Sequence, residues 1–379
     1  MSRIKLKDIA VEKNERVDNP SDSPYSIFVG LEHYDSGEAT IRRFGSTEML
    51  ESTMKVFHAG DILVARRNVY LRRAASVDFD GLTSGDSIVL HIENESYRHI
   101  VPFVLNTDNF WNYANQHADG SMSKRLSPKL LMEYEFSIPE KNIENITEIL
   151  WAMERTKNAY RELIKKTDDL VKSQFVEMFG DPERTERKWD RQRLGSTCEI
   201  ITGNTPPRAN KGFYGHFIEW IKTDNIDKDS KCLSTATEWL SEEGLQQGRS
   251  VGPGAILMAC IAGGLNSIGN AAITDRTVAF NQQINALVPH EYEVGFLYVL
   301  LQMMKKTIER KTNVNLKCIL SKGSLSEIEA IVPPMKEQRA FNAFIDQTDK
   351  SKFTCALQEK MLNVASQVTI SYGNMIQSY

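Results

Sequence analysis

The chain has 379 residues, 41% of them apolar and 25% charged, and a formal net charge of −4. This length exceeds the roughly 250 to 300 residues that one core serves, so two domains are expected. Ordinary composition excludes collagen-like, disordered and disulfide-framework classes, and the slight acidity gives no whole-chain signature of nucleic-acid binding.

The opening "MSRIKLKDIAVEKN" sets single apolar residues among charges and has no apolar core, so no signal peptide is expected. The longest apolar run, 254–265, falls far short of the roughly 20 residues of a membrane span. Both observations predict a cytoplasmic protein. Between Arg42 and Arg73 lie seven cations (Arg42, Arg43, Lys55, Arg66, Arg67, Arg72, Arg73) against three acids (Glu48, Glu51, Asp61), a local basic stretch or an ordinary solvated face. Short β-like runs follow, "GDILVARR" and "DSIVLHI", bounded by Gly, Asn, Asp and Pro.

From Ile143 to Phe179 the apolar residues Ile143, Ile146, Leu150, Met153, Tyr160, Ile164, Val171, Phe175 and Met178 recur in steps of three, four and seven. This predicts one long helix with a narrow seam, about 55 Å at 1.5 Å per residue, of the kind that pairs as a coiled coil. Asn145 with Glu148 suits a capping box near its start, Gly180 a left-handed stop, and Pro182 disfavours helix at Asp181. The charged string containing Glu186-Arg187-Lys188 reads as linker, and Trp189 to Leu194 restart a domain. Further β-like runs, "GAILMACI" and "INALVP", lead to Pro333-Pro334. From Lys336 a second helical seam runs through Phe341, Ile345, Thr348, Cys355, Leu362, Ala365, Thr369 and Tyr372, interrupted by Lys352 and Glu359.

The two halves align at one offset. Gly60 to Leu63 matches Gly254 to Leu257, Leu126-Ser127 matches Leu320-Ser321, Ile138-Pro139 matches Val332-Pro333, and Leu150 matches Phe344, each pair 194 residues apart. The chain therefore reads as a tandem repeat of variable domain plus helix. The contents between anchors differ, which suggests that two different things are recognised.

Motifs for catalysis are missing. Asn204-Thr205-Pro206-Pro207-Arg208 has Thr205 inside it and no aromatic after it, so it reads as a turn rather than an amine-methylating loop. "GLNSIGN" at 264–270 has the glycines of a phosphate loop but Asn270 in place of lysine. Glu186-Arg187-Lys188 lacks the Pro-Asp that would make it a nuclease fragment. No H-x-x-x-H, H-E-x-x-H or G-x-S-x-G occurs. Five scattered cysteines (Cys198, Cys232, Cys260, Cys318, Cys355) never pair as C-x-x-C and read as reduced, with no metal framework.

In order and spacing, the motifs resemble the specificity subunits of type I restriction-modification systems. "SQFVEMFGDP" at 173–182 resembles the end of that family's central helix. "LGSTCEIITGNTPPRANKGFYGHFIEWIKTDNI" at 194–226 is similar to the opening of a target-recognition domain, through Gly203-x-Thr205-Pro206, Tyr214-Gly215, Trp220-Ile221-Lys222 and Asp224. "GPGAILMA" at 252–259, "FNQQINALVP" at 280–289 and "IVPPMKEQ" at 331–338 continue it. The first half departs: it has no G-x-T-P loop, no Asn-Gln pair at the place matching Asn281-Gln282, where Ser87-Ile88 stands, and Pro139-Glu140 in place of Pro-Pro. Its assignment rests on "FHAGDILVARR", "LSPKLLMEYEFSIPE" and the shared offset.

The resemblance implies an α+β (mixed α/β) chain, a tandem pseudo-repeat. Two target-recognition domains with small β-sheets (1–142 and 182–335) are separated by two long antiparallel coiled-coil helices (143–181 and 336–379). It implies a non-catalytic subunit in which each domain reads half of a bipartite double-stranded DNA target. The helices set the unread spacer and dock two modification (methyltransferase) subunits. No cofactor is expected in this chain: S-adenosylmethionine, ATP and magnesium belong to the modification and restriction/translocase partners. The candidate DNA contacts are Arg66, Arg67, Arg72 and Arg73 in the first domain, since arginine pairs bidentately with guanine O6 and N7. In the second they are Thr205, Arg208, Lys211, Lys222, Asn266 and Gln282, on polar loops beside the family motifs. Surface salt bridges for the arginines and turn-capping for Asn266 are the plainer readings. The competing functions are a self-sufficient nuclease or methyltransferase and a coiled-coil scaffold that binds proteins only.

Overall fold

The computed structural model describes residues 2–120, 123–138, 142–184, 189–228, 230–314 and 317–375. Pro139-Glu140 and Glu186-Arg187-Lys188 lie outside the described residues, as does the side chain of Tyr372. The chain forms two compact units, residues 1–162 with 355–379, and residues 163–354.

In the first unit Val11–Lys13, Ser87–His91, Ile62–Ala65 and Ala74–Ser76 make an antiparallel sheet in that order. Ile62–Ala65 is buried throughout, and its two-residue period divides two cores. Ile62 and Val64 pack with Phe103, Phe110 and Trp111 of the helices Glu95–Val104 and Asp108–His117. Leu63 and Ala65 face Val29, Tyr34 and Phe57 instead. A second sheet takes the order Arg16–Val17, Met54–Phe57, Gly81–Thr83, Ile27–Val29, Gly45–Ser46, with Ile27–Val29 parallel to Gly81–Thr83. Ser2–Lys5 pairs antiparallel with Glu135–Ile138 and closes the unit.

The second unit repeats this frame. Cys198–Thr202, Ile284–Pro289, Ile256–Ala259 and Ala271–Ile273 form the matching sheet. Tyr214–Ile221 runs parallel to Val278–Phe280, and Arg191–Arg193 pairs with Glu329–Ile331. The two-core alternation returns, with Ile256 and Met258 in one core and Leu257 in the other.

The predicted offset of 194 is structural. Gly60 and Gly254 both take left-handed backbone, φ 89° and 87°, which glycine adopts without cost. Their N–H groups donate to Val77 and Thr274 carbonyls at 2.8 Å each. Ser127 and Ser321 cap matching short helices, Pro128–Met132 and Lys322–Ser326. The bridges Arg67 to Arg125 and Asp119 to Arg125 recur as Ile261 to Ile319 and Asn313 to Ile319. Between anchors the halves diverge: 8 residues separate Ala65 from Ala74, and 11 separate Ala259 from Ala271.

The central helix spans Ile143–Phe179, as its periodicity predicts. Leu150, Val171 and Phe175 of its seam are buried, and the other seam residues are half-buried. Asn145 and Glu148 lie inside this helix and are exposed, so they form no capping box: the chain enters the helix earlier than the polar pair suggests. Gly180 stops it at φ 81°, and Trp189 Nε1 donates to the Phe179 carbonyl at 3.0 Å, filling one of the acceptors a helix end leaves open.

The second long helix spans Met335–Met375. The residues that interrupt its seam prove to be paired. In the first unit Glu359 accepts from Arg161, and in the second Lys352 donates to Asp168. Within the second unit Asp168 meets Lys352 and, further along, Phe175 meets Phe341, so the two helix segments there run antiparallel. No helix among the described residues is long and apolar enough to cross a membrane.

Candidate nucleic-acid interface

In the second unit the loop after Cys198–Thr202 lies against the turn that begins at Phe280. Gly203 N–H donates to the Ile284 carbonyl at 3.0 Å, and Asn204 N–H to the Phe280 carbonyl at 3.2 Å. A Cβ on Gly203 would sit 2.1 Å from the Asn281 carbonyl oxygen, so only glycine permits this approach. Gly203→Ala should therefore lift the loop and cost about 1 to 3 kcal/mol of stability in urea unfolding. Gly252→Ala, where a Cβ meets nothing within 4 Å, is the control and should be near neutral.

That approach gathers four of the predicted residues. Thr205 Oγ1 donates to Gln282 Oε1. The Arg208 guanidinium lies 4.7 Å above the Tyr214 ring centre and 5.1 Å above that of Trp220, and its Nη1 is 2.6 Å from Glu238 Oε2. Lys222 Nζ donates to the other Glu238 oxygen at 2.6 Å. Tyr214 is fixed in turn by its hydroxyl on the Pro206 carbonyl, 2.6 Å, and Trp220 by its indole N–H on the Asn204 carbonyl, 3.3 Å. Hydrogen bonds from Arg208 and then Lys222 hold the Glu238 carboxyl below its usual range. Stacking leaves the Arg208 side chain 57% exposed but restricts its tumbling, so a planar donor fork is presented at low entropic cost.

The other two lie apart from this group. Lys211 is exposed on the short turn Lys211–Phe213, which Asn210 caps. Asn266 is exposed on Leu265–Ser267, in the loop between Ala259 and Ala271.

In the first unit, the arginines divide. Arg67 is 51% exposed and lies 3.7 Å from Asp86, which also accepts from Arg125 at 2.6 Å. Arg72 bonds Asp108 at 2.5 Å. Arg66 is half-buried, and its Nε is a buried donor with no acceptor among the described residues. Arg73 is buried, and its two terminal nitrogens donate to the carbonyls of Leu31 (3.0 Å) and Arg67 (2.8 Å). Burial pushes its pKa down, and it acts as a brace beneath the loop that bears Arg67. Sequence gave no cue for Arg125, Glu238 or Asp86, which enter through pairings distant in the chain. Among the described residues no cluster of His, Cys, Asp or Glu side chains is arranged to hold a metal ion.

Comparison with known proteins places this frame. The family model for the type I restriction modification DNA specificity domain matches residues 186–363. The specificity subunit of the type I restriction enzyme HindI from Haemophilus influenzae is 29% identical over 153 residues, 39% of this chain and 32% of that protein. The chain thus aligns with about a third of the length of this curated relative. A structure from work on complex assembly and conformational transition of the type I R-M system matches at 20% identity, TM-score 0.51, covering 98% of this chain and 97% of that one. The S subunit of a type I restriction-modification system from M. genitalium matches at 14% identity, TM-score 0.51, covering 97% and 94%. The structural matches establish the fold, and the stretch 186–363 is similar in sequence to the type I restriction modification DNA specificity domain.

Proposed function

We propose that this chain is the DNA sequence-recognition subunit of a type I restriction-modification complex, reading a bipartite target with one unit per block. The observation that carries this is one frame built twice with unlike tips. Anchors recur 194 residues apart, while the intervening loops differ in length and chemistry, arginine-rich in one unit and Gly/Asn-rich in the other. Two copies of one frame with different tips suit two short base sequences at a fixed separation. Each mismatched base pair costs about 1 to 3 kcal/mol, so two blocks discriminate where one short block does not. The long helices act as the spacer that sets the gap.

In this reading the chain is non-catalytic and cytoplasmic. It directs adenine methylation and restriction by two modification subunits and by restriction/translocase subunits. These partners bind S-adenosylmethionine, ATP and magnesium. Methylome sequencing of cells carrying this chain with its modification partner tests the proposal: one bipartite motif with a constant gap is expected, and methylation without such a motif overturns it. The purified chain alone should neither cleave DNA with magnesium nor transfer methyl groups from S-adenosylmethionine.

Arg66→Ala with Arg67→Ala should weaken DNA binding by the assembled complex about tenfold or more and loosen one block, the scale of one lost bidentate pair. Electrophoretic shift across a salt series reads the loss, with a shallower slope where a phosphate contact is gone. Unchanged affinity and preference remove these two from the interface.

A further inference from the structure

In each unit the loop that follows the central buried strand is held by the residue at the head of a helix. In the second unit Lys305 begins the helix Lys305–Arg310, and its Nζ donates to the Asn266 carbonyl (3.3 Å), the Ile268 carbonyl (2.5 Å) and Asn270 Oδ1 (3.0 Å). An ammonium has three N–H groups, and this one directs all three into five residues of one loop. Gly269 in that loop is left-handed, φ 77°, and packs so close that a Cβ would lie 3.0 Å from Ile308 Cγ2 of the same helix. Burial pulls the Lys305 pKa down, yet the three acceptors keep the cation in place.

In the first unit Asp108 begins the helix Asp108–His117 and accepts from Arg72 at 2.5 Å. Asp108 and Lys305 head corresponding helices, 197 residues apart, and Arg72 and Asn266 lie in corresponding loops, 194 apart, so each helix head reaches its loop, through an ion pair in the first unit and through a cation on neutral acceptors in the second. Among the described residues Asn68 and Arg72 are the non-glycine residues with left-handed backbone, φ 55° and 50°. Such backbone persists only where surroundings hold it, and here it brackets Tyr70, which is 61% exposed. The first loop is thus held, at Arg72, in a backbone that its own residue does not prefer.

We infer that Lys305, and Asp108 at the matching place, are positioning residues: each fixes the shape of the loop its unit presents to DNA, and so governs one block of the target and not the other. This deepens the recognition role proposed above and rests on it. Lys305, half-buried with three acceptors, has the larger effect. Asp108 is 70% exposed, and solvent screens its pair with Arg72.

Methylomes are compared for the wild-type chain with its modification partner and for Lys305→Met, Lys305→Arg and Asp108→Asn, with complex unfolding temperatures measured alongside. Lys305→Met should raise methylation at sites altered in one block at least tenfold, leaving the other block strict. Lys305→Arg keeps the cation and should restore most of the preference. Asp108→Asn should loosen the opposite block about threefold. A merely structural role lowers methylation at all sites equally; that result, unchanged preference, or both blocks loosening together overturns the inference. If Lys305→Met yields no complex, Asn270→Ala removes one acceptor and is read the same way. A wild-type methylome without two blocks overturns the recognition role itself, whereas two wild-type blocks with unmoved variants overturn only the positioning of the loops.

Discussion

Phe175→Ala should destabilise the second unit by about 3 to 5 kcal/mol, the range for emptying a fully buried aromatic site. Phe175 is 0% exposed on the inner face of the central helix. Its ring lies 5.2 Å from Phe179, 5.5 Å from Phe296 and 5.5 Å from Phe341, so three rings border the space it fills. Phe341 belongs to the C-terminal helix and Phe296 to Val294–Met303 beside the sheet. One truncation therefore loosens helix from helix and both from the sheet. Urea unfolding followed by circular dichroism measures the cost. Val176→Ala, one residue on and 41% exposed, should stay within about 0.5 kcal/mol.

Glu38→Gln should cost the first unit about 3 kcal/mol, the lower part of the range for breaking a buried ion pair. Glu38 is 5% exposed and meets Arg42 at 2.8 Å, Lys157 at 3.0 Å and Arg161 at 2.7 Å. The lower part applies because Arg42 and Arg161 remain about a third exposed, so water compensates some of the loss. Burial alone would raise the Glu38 pKa; the Arg161 hydrogen bond and the Lys157 charge outweigh it and hold the carboxyl at about 2. The folded pKa is below the ordinary 4.5, so the stabilisation is fully present above about pH 4.5 and is lost as pH falls toward 2. Urea midpoints for wild type and Glu38→Gln should converge over that window. A gap that stays constant down to pH 2.5 contradicts the assignment.

The helices and the repeat were legible because both are regularities of spacing. Seam residues recur whatever they touch, and the anchors at Gly60 and Gly254 mark a backbone requirement that sequence displays directly. The buried charges were not legible. Glu154 and Lys157 are 4% and 5% exposed on the central helix, yet their period resembles that of any solvated face. Their burial follows from Glu38 and Arg42, which come from more than a hundred residues earlier. The burial of Arg73 was hidden for the same reason: four arginines in a short stretch look alike until one is seen bonding carbonyls inside the fold. The Gly203 loop was found by its motif, whereas Glu238, which links Arg208 to Lys222, has no local signature.

The charges that interrupt the second helical seam also forbid slippage. In the observed register Arg161 meets Glu359 and Asp168 meets Lys352. Sliding one helix by a heptad in one direction would set Arg161 against Lys352 and Glu154 against Glu359. Sliding it the other way would set Asp168 against Glu359. Apolar seams alone tolerate such shifts, since one heptad resembles the next. Because like charge meets like in both directions, the pair acts as a key cut for a single alignment, and a length change in one helix would need its match in the other.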